Sequence, residues 1–309
     1  MSGGLAVSIA VSVVASTLAL ATPLIFAALG GTVSERSGVV NIALEGMLLA
    51  GAFGYFVGAG ATHSALAGVG GAMLAAAVLA MSLGYLSVWF PVDQVVLGVA
   101  VNLAATGGTA FLFRSIFGVG SSQTVPEIGN VTVPGLTRLP VVGPAFFHLS
   151  PLTYLSLLCV LGAWAFFRFT RPGLWVRATG ESPEAADAAG IHVFRLRFIA
   201  VVASGALCGL GGAFVLSQVS QFSEDMTAGA GFIALAAVIL GRWEPPGALL
   251  ACLLFALFES LQTALQIAGI RVPHQFLQMI PYVLTIVVLA GAVGRTVAPA
   301  ADGRPYRRA

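Results

Sequence analysis

Charge is scarce in this chain, so the few ionisable and amide side chains inside apolar runs carry most of its chemical content. Glu259 lies about midway along Gly247–Ala268, and Gln262 follows three residues on, on the same helical face. A lone carboxylate at that depth costs roughly 2.5–3.5 kcal/mol. It either lines a path for a polar solute or, protonated or paired, makes a helix-to-helix hydrogen bond. The stretch Ser34 to Gly46 is denser. Glu35 and Arg36 can neutralise nearby charges, Gly38 permits an irregular turn, and Asn41 and Glu45 are i,i+4 neighbours. A helix interrupted there would present an N-terminus near mid-membrane, suited to polar or anionic groups of a ligand. An interfacial cap and turn is the plainer reading, and it leaves Glu45, well inside the apolar run, unexplained. Asn102 is buried and needs partners, which favours a packing hydrogen bond over ligand contact. Gln218 and Gln221 sit at the outer end of an apolar block and suit either the mouth of a pathway or a solvated helix end.

A second kind of chemistry, docking, is written in Ser182 to Phe194. Ser182 can cap a helix, Pro183 suits its first position, Glu184 meets the positive end of the dipole and Gly190 suits the exit. A helix of under two turns is marginal alone, so a partner must seat on it. Arg168, Arg171, Arg177, Arg195 and Arg197 surround it.

The elements that would position these residues follow from composition. Of 309 residues, 58% are hydrophobic and 8% charged, far from a soluble average in which charged residues approach ~25%. The apolar residues come in blocks of roughly 20, the length a helix needs to cross hydrocarbon, and do not alternate as barrel strands would. Nine helical blocks are predicted: Leu5–Leu29, Val39–Val57, Leu66–Phe90, Val95–Phe117, Pro151–Phe167, Phe198–Ser217, Gly229–Leu240, Gly247–Ala268 and Phe276–Val293. The expected fold is an all-α polytopic membrane bundle of about 8–10 transmembrane helices, one or two of them broken or re-entrant. The seventh block is short, at roughly 18 Å, and would be half of a broken helix. Gly30–Gly46 and Gly229–Gly241 are a candidate pair of such breaks. Most of the 38 glycines are explained by close packing of transmembrane helices.

Arginine sets the orientation. The five arginines named above place residues 168–197 in the cytoplasm, and Arg295, Arg304, Arg307 and Arg308 put the C-terminus there too. Residues 119–149, rich in Gly and Pro, then fall outside. Nine crossings put the N-terminus outside, and a re-entrant segment near Val39 would reverse that. Trp89, Trp175 and Trp243 fall near cytoplasmic boundaries, as an interfacial belt would.

Several classes are disfavoured. A chain without lysine has no P-loop lysine and no Schiff base, so ATP-driven transport would need another subunit to hydrolyse the nucleotide. Cys159, Cys208 and Cys252 lie in apolar helices without paired spacing. His63, His148, His192 and His274 lie in turns or loops without metal spacing, so no metal site is expected. No Ser/His or paired-Asp arrangement suggests an intramembrane enzyme, and no catalytic residue is assigned. The basic tail after Asp302 reads as a cytoplasmic anchor rather than a nucleic-acid site. The N-terminal block lacks a basic n-region and is too long for a signal peptide.

Glu184-Ala185-Ala186 followed by Gly190 resembles the EAA loop of ABC-importer permeases, which forms a coupling helix seated in a groove on the ATPase. The usual continuation toward a Leu-Pro pair is absent, with Val201-Val202-Ala203 following instead, which points away from the maltose-type branch. The stretch Arg177 to Gly190 is similar to permeases of the ribose/branched-chain amino acid superfamily. Ser34–Gly46 and Gly229–Trp243 resemble its nucleoside (simple-sugar-like) branch; ribose permeases would instead show a Gly-Gly-Ile-Asp-Leu-Ser-type sequence at the first of these. The resemblance covers roughly Ala21 to Val293. It implies one permease domain over residues 1–309, with Gly180, Glu181, Ser182, Pro183, Glu184, Ala185, Ala186, Asp187 and Gly190 coupling to an ATPase that carries two nucleotide-binding domains. It further implies a second related permease, an extracytoplasmic substrate-binding lipoprotein, a nucleoside or sugar substrate, and residence in a bacterial cytoplasmic membrane. Asn41, Glu45, Asn102, Gln218, Glu259 and Gln262 are the candidate pathway residues, and no cofactor is implied. The alternative from another class is an ion-coupled secondary transporter in which Glu259 or Glu45 carries protons.

Overall fold

The computed structural model of the chain describes residues 2–118, 123–132, 146–267, 279, 283 and 297–306. In chain order its helices are α1 (Ser2–Glu35), α2 (Leu44–Thr62), α3 (Ala65–Trp89), α4 (Gln94–Phe117), α5 (Pro151–Phe169), α6 (Arg171–Glu181), α7 (Pro183–Ala188), α8 (Val193–Val219), α9 (Ala230–Leu240) and α10 (Pro245–Ile267). Seven of these, α1 to α5, α8 and α10, are long and apolar enough to cross a membrane, and α9 is a shorter apolar helix. The chain is a polytopic helical membrane protein. The predicted block Phe276–Val293 lies outside the described residues except for Met279 and Val283.

Boundaries that periodicity misplaced have local causes. α1 continues past Leu29 through Gly30 and Gly31 to Glu35. A Cβ on Gly30 would stand 2.8 Å from the Ser204 carbonyl, so close packing offsets the roughly 1 kcal/mol cost of a helical glycine. The second block begins at Leu44 rather than Val39, because residues 36–43 form turns and an irregular segment. α8 starts at Val193, which places Arg195 and Arg197 in its first turns rather than in a loop. The helix α6 was not foreseen; Thr170 accepts from Gly173 N at 3.1 Å and Pro172 suits the opening turn.

α8 runs through the middle, against α1, α2 and α3. Its small residues permit this, since a Cβ on Gly212 would stand 2.1 Å from the Leu48 carbonyl. One core cluster joins Leu24, Leu44, Met47, Leu83, Val201, Val238 and Phe255, and a second, aromatic one joins Phe26, Tyr55, Phe56, Phe113, Phe214 and Phe222. Leu74, Val96, Leu103, Phe111, Leu158 and Leu161 point outward, a surface suited to lipid tails.

The two ends of the bundle differ. One gathers Arg36, Arg177 and Arg242 around a small polar cavity with Glu181, Trp243 and Pro299. At the other, Arg114 makes a two-pronged ion pair with Glu224 at 2.8–2.9 Å. There Val131–Thr132 pairs antiparallel with His148–Leu149, and Tyr55 Oη donates to the Pro126 carbonyl at 2.8 Å.

A broken-helix core and a clamped elbow as the candidate functional site

Two helices, α2 and α9, begin beside one another inside the bundle, and one side chain serves both starts. Glu45, in the first turn of α2, accepts from Thr227 Oγ1 at 2.6 Å, Gly229 N at 2.9 Å and Gly231 N at 2.6 Å. It therefore caps the N-terminus of α9, where unpaired N–H groups and the helix dipole favour a carboxylate. The backbones nearly touch here: a Cβ on Gly231 would fall 2.3 Å from Glu45 N. α9 has 11 residues, a length of about 16 Å. Its far end reaches Trp243, whose Nε1 donates to Glu35 at 2.5 Å. Glu45 and the Glu35–Trp243 contact thus lie at opposite ends of α9, about 16 Å apart along its axis. The two breaks picked out by their flanking glycines form one interlocked unit.

The irregular segment ahead of α2 lies on one face of α4. Gln94 Oε1 accepts from Val40 N at 2.8 Å, and Asn102 accepts from Gly46 N at 2.7 Å and donates to the Ile42 carbonyl at 2.9 Å. Between them a Cβ on Gly98 would meet Ile42 at 3.0 Å. Gln94, Gly98 and Asn102 are spaced i, i+4, i+8, one stripe of a helix. Asn41 is fully buried; its amide donates to Ser204 Oγ at 2.9 Å and its carbonyl accepts from Ala43 N at 3.0 Å. Asn41 and Asn102 thus hold the break rather than present free polar groups. Gln94 went unweighed in the sequence, although its two-turn spacing from Asn102 is a readable signal. Thr227 carried none.

The other candidates stand apart. Glu259 is exposed on α10 with Gln262 half-buried beside it, and no hydrogen bond joins either to the Asn41–Glu45 unit among the described residues. Gln218 is exposed at the opposite end, where it lines a cavity of about 220 Å³ with Asn130, His148 and Thr153.

The stretch 180–190 is an elbow. α6 ends at Glu181, Ser182 Oγ accepts from Ala185 N at 3.4 Å to cap α7, and Gly190 leaves it at φ +85°. Pro183 and Ala186 face inward, while Glu184, Ala185, Ala188 and Ala189 stand exposed. The inner side is anchored. Gly180 lies against the turn after α1, its notional Cβ 2.3 Å from the Arg36 carbonyl. Glu35 and Arg36 do not pair with each other: Arg36 makes its ion pair with Glu244 and lies 5.2 Å over the Phe167 ring. Among the described residues no cluster of His, Cys, Asp or Glu suits a metal ion.

Comparison with known proteins agrees with this architecture. Residues 13–289 match the profile of a family described as branched-chain amino acid transport system / permease component. The guanosine ABC transporter permease protein NupQ of Bacillus subtilis is 41% identical over 310 residues, covering 95% of this chain and 96% of NupQ. The nucleoside ABC transporter permease protein NupC of Lactococcus lactis is 41% identical over the same shares of each chain. A putative glucose ABC transporter permease protein, TsgC13 of Haloferax volcanii, is 36% identical over 94% of both chains. The chain therefore belongs to the branched-chain amino acid transport system permease family, and it resembles nucleoside ABC transporter permeases along nearly its whole length.

Proposed function

We propose that this chain is the membrane-spanning subunit of an ATP-driven importer whose cargo is a nucleoside, and that α7 is the surface on which the ATPase acts. The observation that carries this is the elbow, a six-residue helix with an exposed acidic and alanine face and a tightly seated inner side. A helix that short has no reason to persist without something seated on it. Residues Gly180 to Asp187 and Gly190 make up the coupling surface. The arginine-rich end faces the cytoplasm, in keeping with the bias of cytoplasmic loops toward arginine. A cytoplasmic C-terminus is in keeping with this, supported by the hydrogen bond from Ala301 N to the Gly180 carbonyl at 2.8 Å. Residues 119–149 then face outward and would receive substrate from a binding lipoprotein.

Cargo crosses between this chain and a second, related permease. Glu259 supports that placement: an exposed carboxylate in a membrane helix is costly against lipid and suits a wet pathway or a partner subunit. Gln262 and, at the outer mouth, Gln218 extend the same wall. Glu45, Asn41 and Asn102 act one layer behind it, fixing the break that shapes the path. Neutral or internally paired polar groups suit the hydroxyls and base edges of a nucleoside better than a fixed ion would. The assembly resides in a bacterial cytoplasmic membrane.

The test is uptake of labelled guanosine, with ribose and glucose as competitors, by the assembled transporter in proteoliposomes loaded with ATP. Uptake that requires ATP, survives a protonophore and is not competed by the sugars supports the reading. Uptake abolished by the protonophore while ATP is maintained would instead establish proton coupling through Glu259 or Glu45.

A further inference from the structure

Arg197 sits in the second turn of α8, 2% exposed, and its guanidinium reaches three separate stretches of backbone. Nε donates to the Ser37 carbonyl at 3.0 Å, Nη2 to the Thr179 carbonyl at 3.2 Å and Nη1 to the Arg304 carbonyl at 3.0 Å. These stretches are the turn after α1, the last turn of α6 and the C-terminal segment. The planar fork of an arginine holds such partners in fixed directions, which a flexible ammonium cannot. The space around it excludes side chains. Gly38, at φ +93°, would place a Cβ 2.4 Å from Nη2. The C-terminal segment 297–306 closes the junction from outside, through Ala301 N on Gly180 and through Tyr306 Oη, which donates to Asp187 Oδ2 at 3.1 Å. The Tyr306 ring packs against Phe194 at a tilt of 44°, 5.4 Å between centroids.

We infer that Arg197 and the segment 297–306 form the joint that carries movement of α7 into the broken-helix core. The inference rests on α7 being the surface the ATPase moves. A six-residue helix between Ser182 and a left-handed Gly190 would otherwise spend a push in bending at its two ends. The strap ties the far side of α7 to α8 through Tyr306, and Arg197 ties the elbow to Ser37. From Ser37 the chain rises through residues 38–44 to Glu45, and Glu45 holds α9. Arg197 is a positioning residue that acts through backbone it fixes, without touching cargo.

The experiment uses the assembled transporter in proteoliposomes, with guanosine as probe and ATP hydrolysis measured alongside uptake. Truncation after residue 296 should lower guanosine imported per ATP hydrolysed by about tenfold, and Tyr306→Phe by about threefold, the low end of what one net hydrogen bond contributes. Arg197→Gln should match the truncation, and Arg197→Lys should fall between it and the natural chain. Tyr306→Phe changes one hydroxyl at the rim, so it keeps the test valid should Arg197→Gln fail to insert. Imported guanosine per ATP equal to the natural chain in both the truncation and Tyr306→Phe overturns the joint. So does a fall in uptake and hydrolysis in equal proportion, which is the mark of a merely structural role. A natural assembly that hydrolyses ATP and imports no guanosine overturns the functional reading and the joint together.

Discussion

The two helix breaks at the centre of the molecule are held in opposite ways. The break between α1 and α2 is fixed in several places, mostly by neutral groups: Gln94 on Val40, Asn41 on Ala43, and Asn102 on Ile42 and Gly46, with the Arg197 guanidinium on Ser37. The break ahead of α9 hangs on one carboxylate, Glu45, which takes up Thr227, Gly229 and Gly231 together. Redundant neutral bonds resist any single displacement, whereas a single charged contact can let go as a unit. The first break is therefore a stiff frame that shifts as one piece, and α9 the element able to change position against it.

The strongest way to break this contrast is Glu45→Ala. It strands three donors around one half-buried point, each costing up to about 1–3 kcal/mol. Uptake should fall at least tenfold, amides at the start of α9 should lose protection in hydrogen exchange, and insertion should persist. Glu45→Gln, which keeps an acceptor without the charge, should fall between. Asn102→Ala strands two groups rather than three, Gly46 N and the Ile42 carbonyl, at about 1–3 kcal/mol each. It should lower the thermal midpoint in detergent while uptake stays within a few-fold. Gln94→Ala should do least, about 1 kcal/mol, because Val40 N is the one group it serves and Gln94 Nε2 already lacks a partner among the described residues. If Asn102→Ala proves as damaging as Glu45→Ala, the distinction between frame and moving element fails.

Away from the two breaks, an effect of pH is expected at the C-terminal segment 297–306. Burial raises the Asp302 carboxyl from 3.8 to about 7, offset in part by the Gly303 N–H and by Arg197 of α8; Glu35 of α1 also lies within electrostatic reach. A carboxyl that holds its proton more tightly when docked favours docking at low pH. Docking is strongest below pH 4, weakens as pH rises toward 7 and is level above it. Between pH 6 and 8 the docking equilibrium constant should fall by about tenfold, read as protease access to residues 297–306. Asp302→Asn should flatten the response.

Much of this was legible in the sequence, and what was missed has a physical pattern. The blocks Leu66–Phe90 and Val95–Phe117 match α3 and α4 to within a residue, because Ser64 and Asp93 begin them and Gly118 ends the second. Glycine misled at Gly30, where close packing on α8 outweighs helix propensity, so α1 ran longer than its composition suggests. The pairing of the two glycine-flanked breaks was visible as similarity of composition, but their joining through Glu45 was not, since the chain carries no sign of a contact 182 residues apart. Arg197 was read only as a sign of sidedness. Its three acceptors are backbone carbonyls, which no residue type advertises.

The account turns on whether force applied at α7 moves cargo. The direct measurement is guanosine uptake alongside ATP hydrolysis in the assembled transporter carrying Glu184→Ala and Gly190→Ala together, at matched membrane abundance. Continued hydrolysis with uptake reduced about tenfold or more is the predicted result. Uptake and hydrolysis both equal to those of the natural chain would contradict the account.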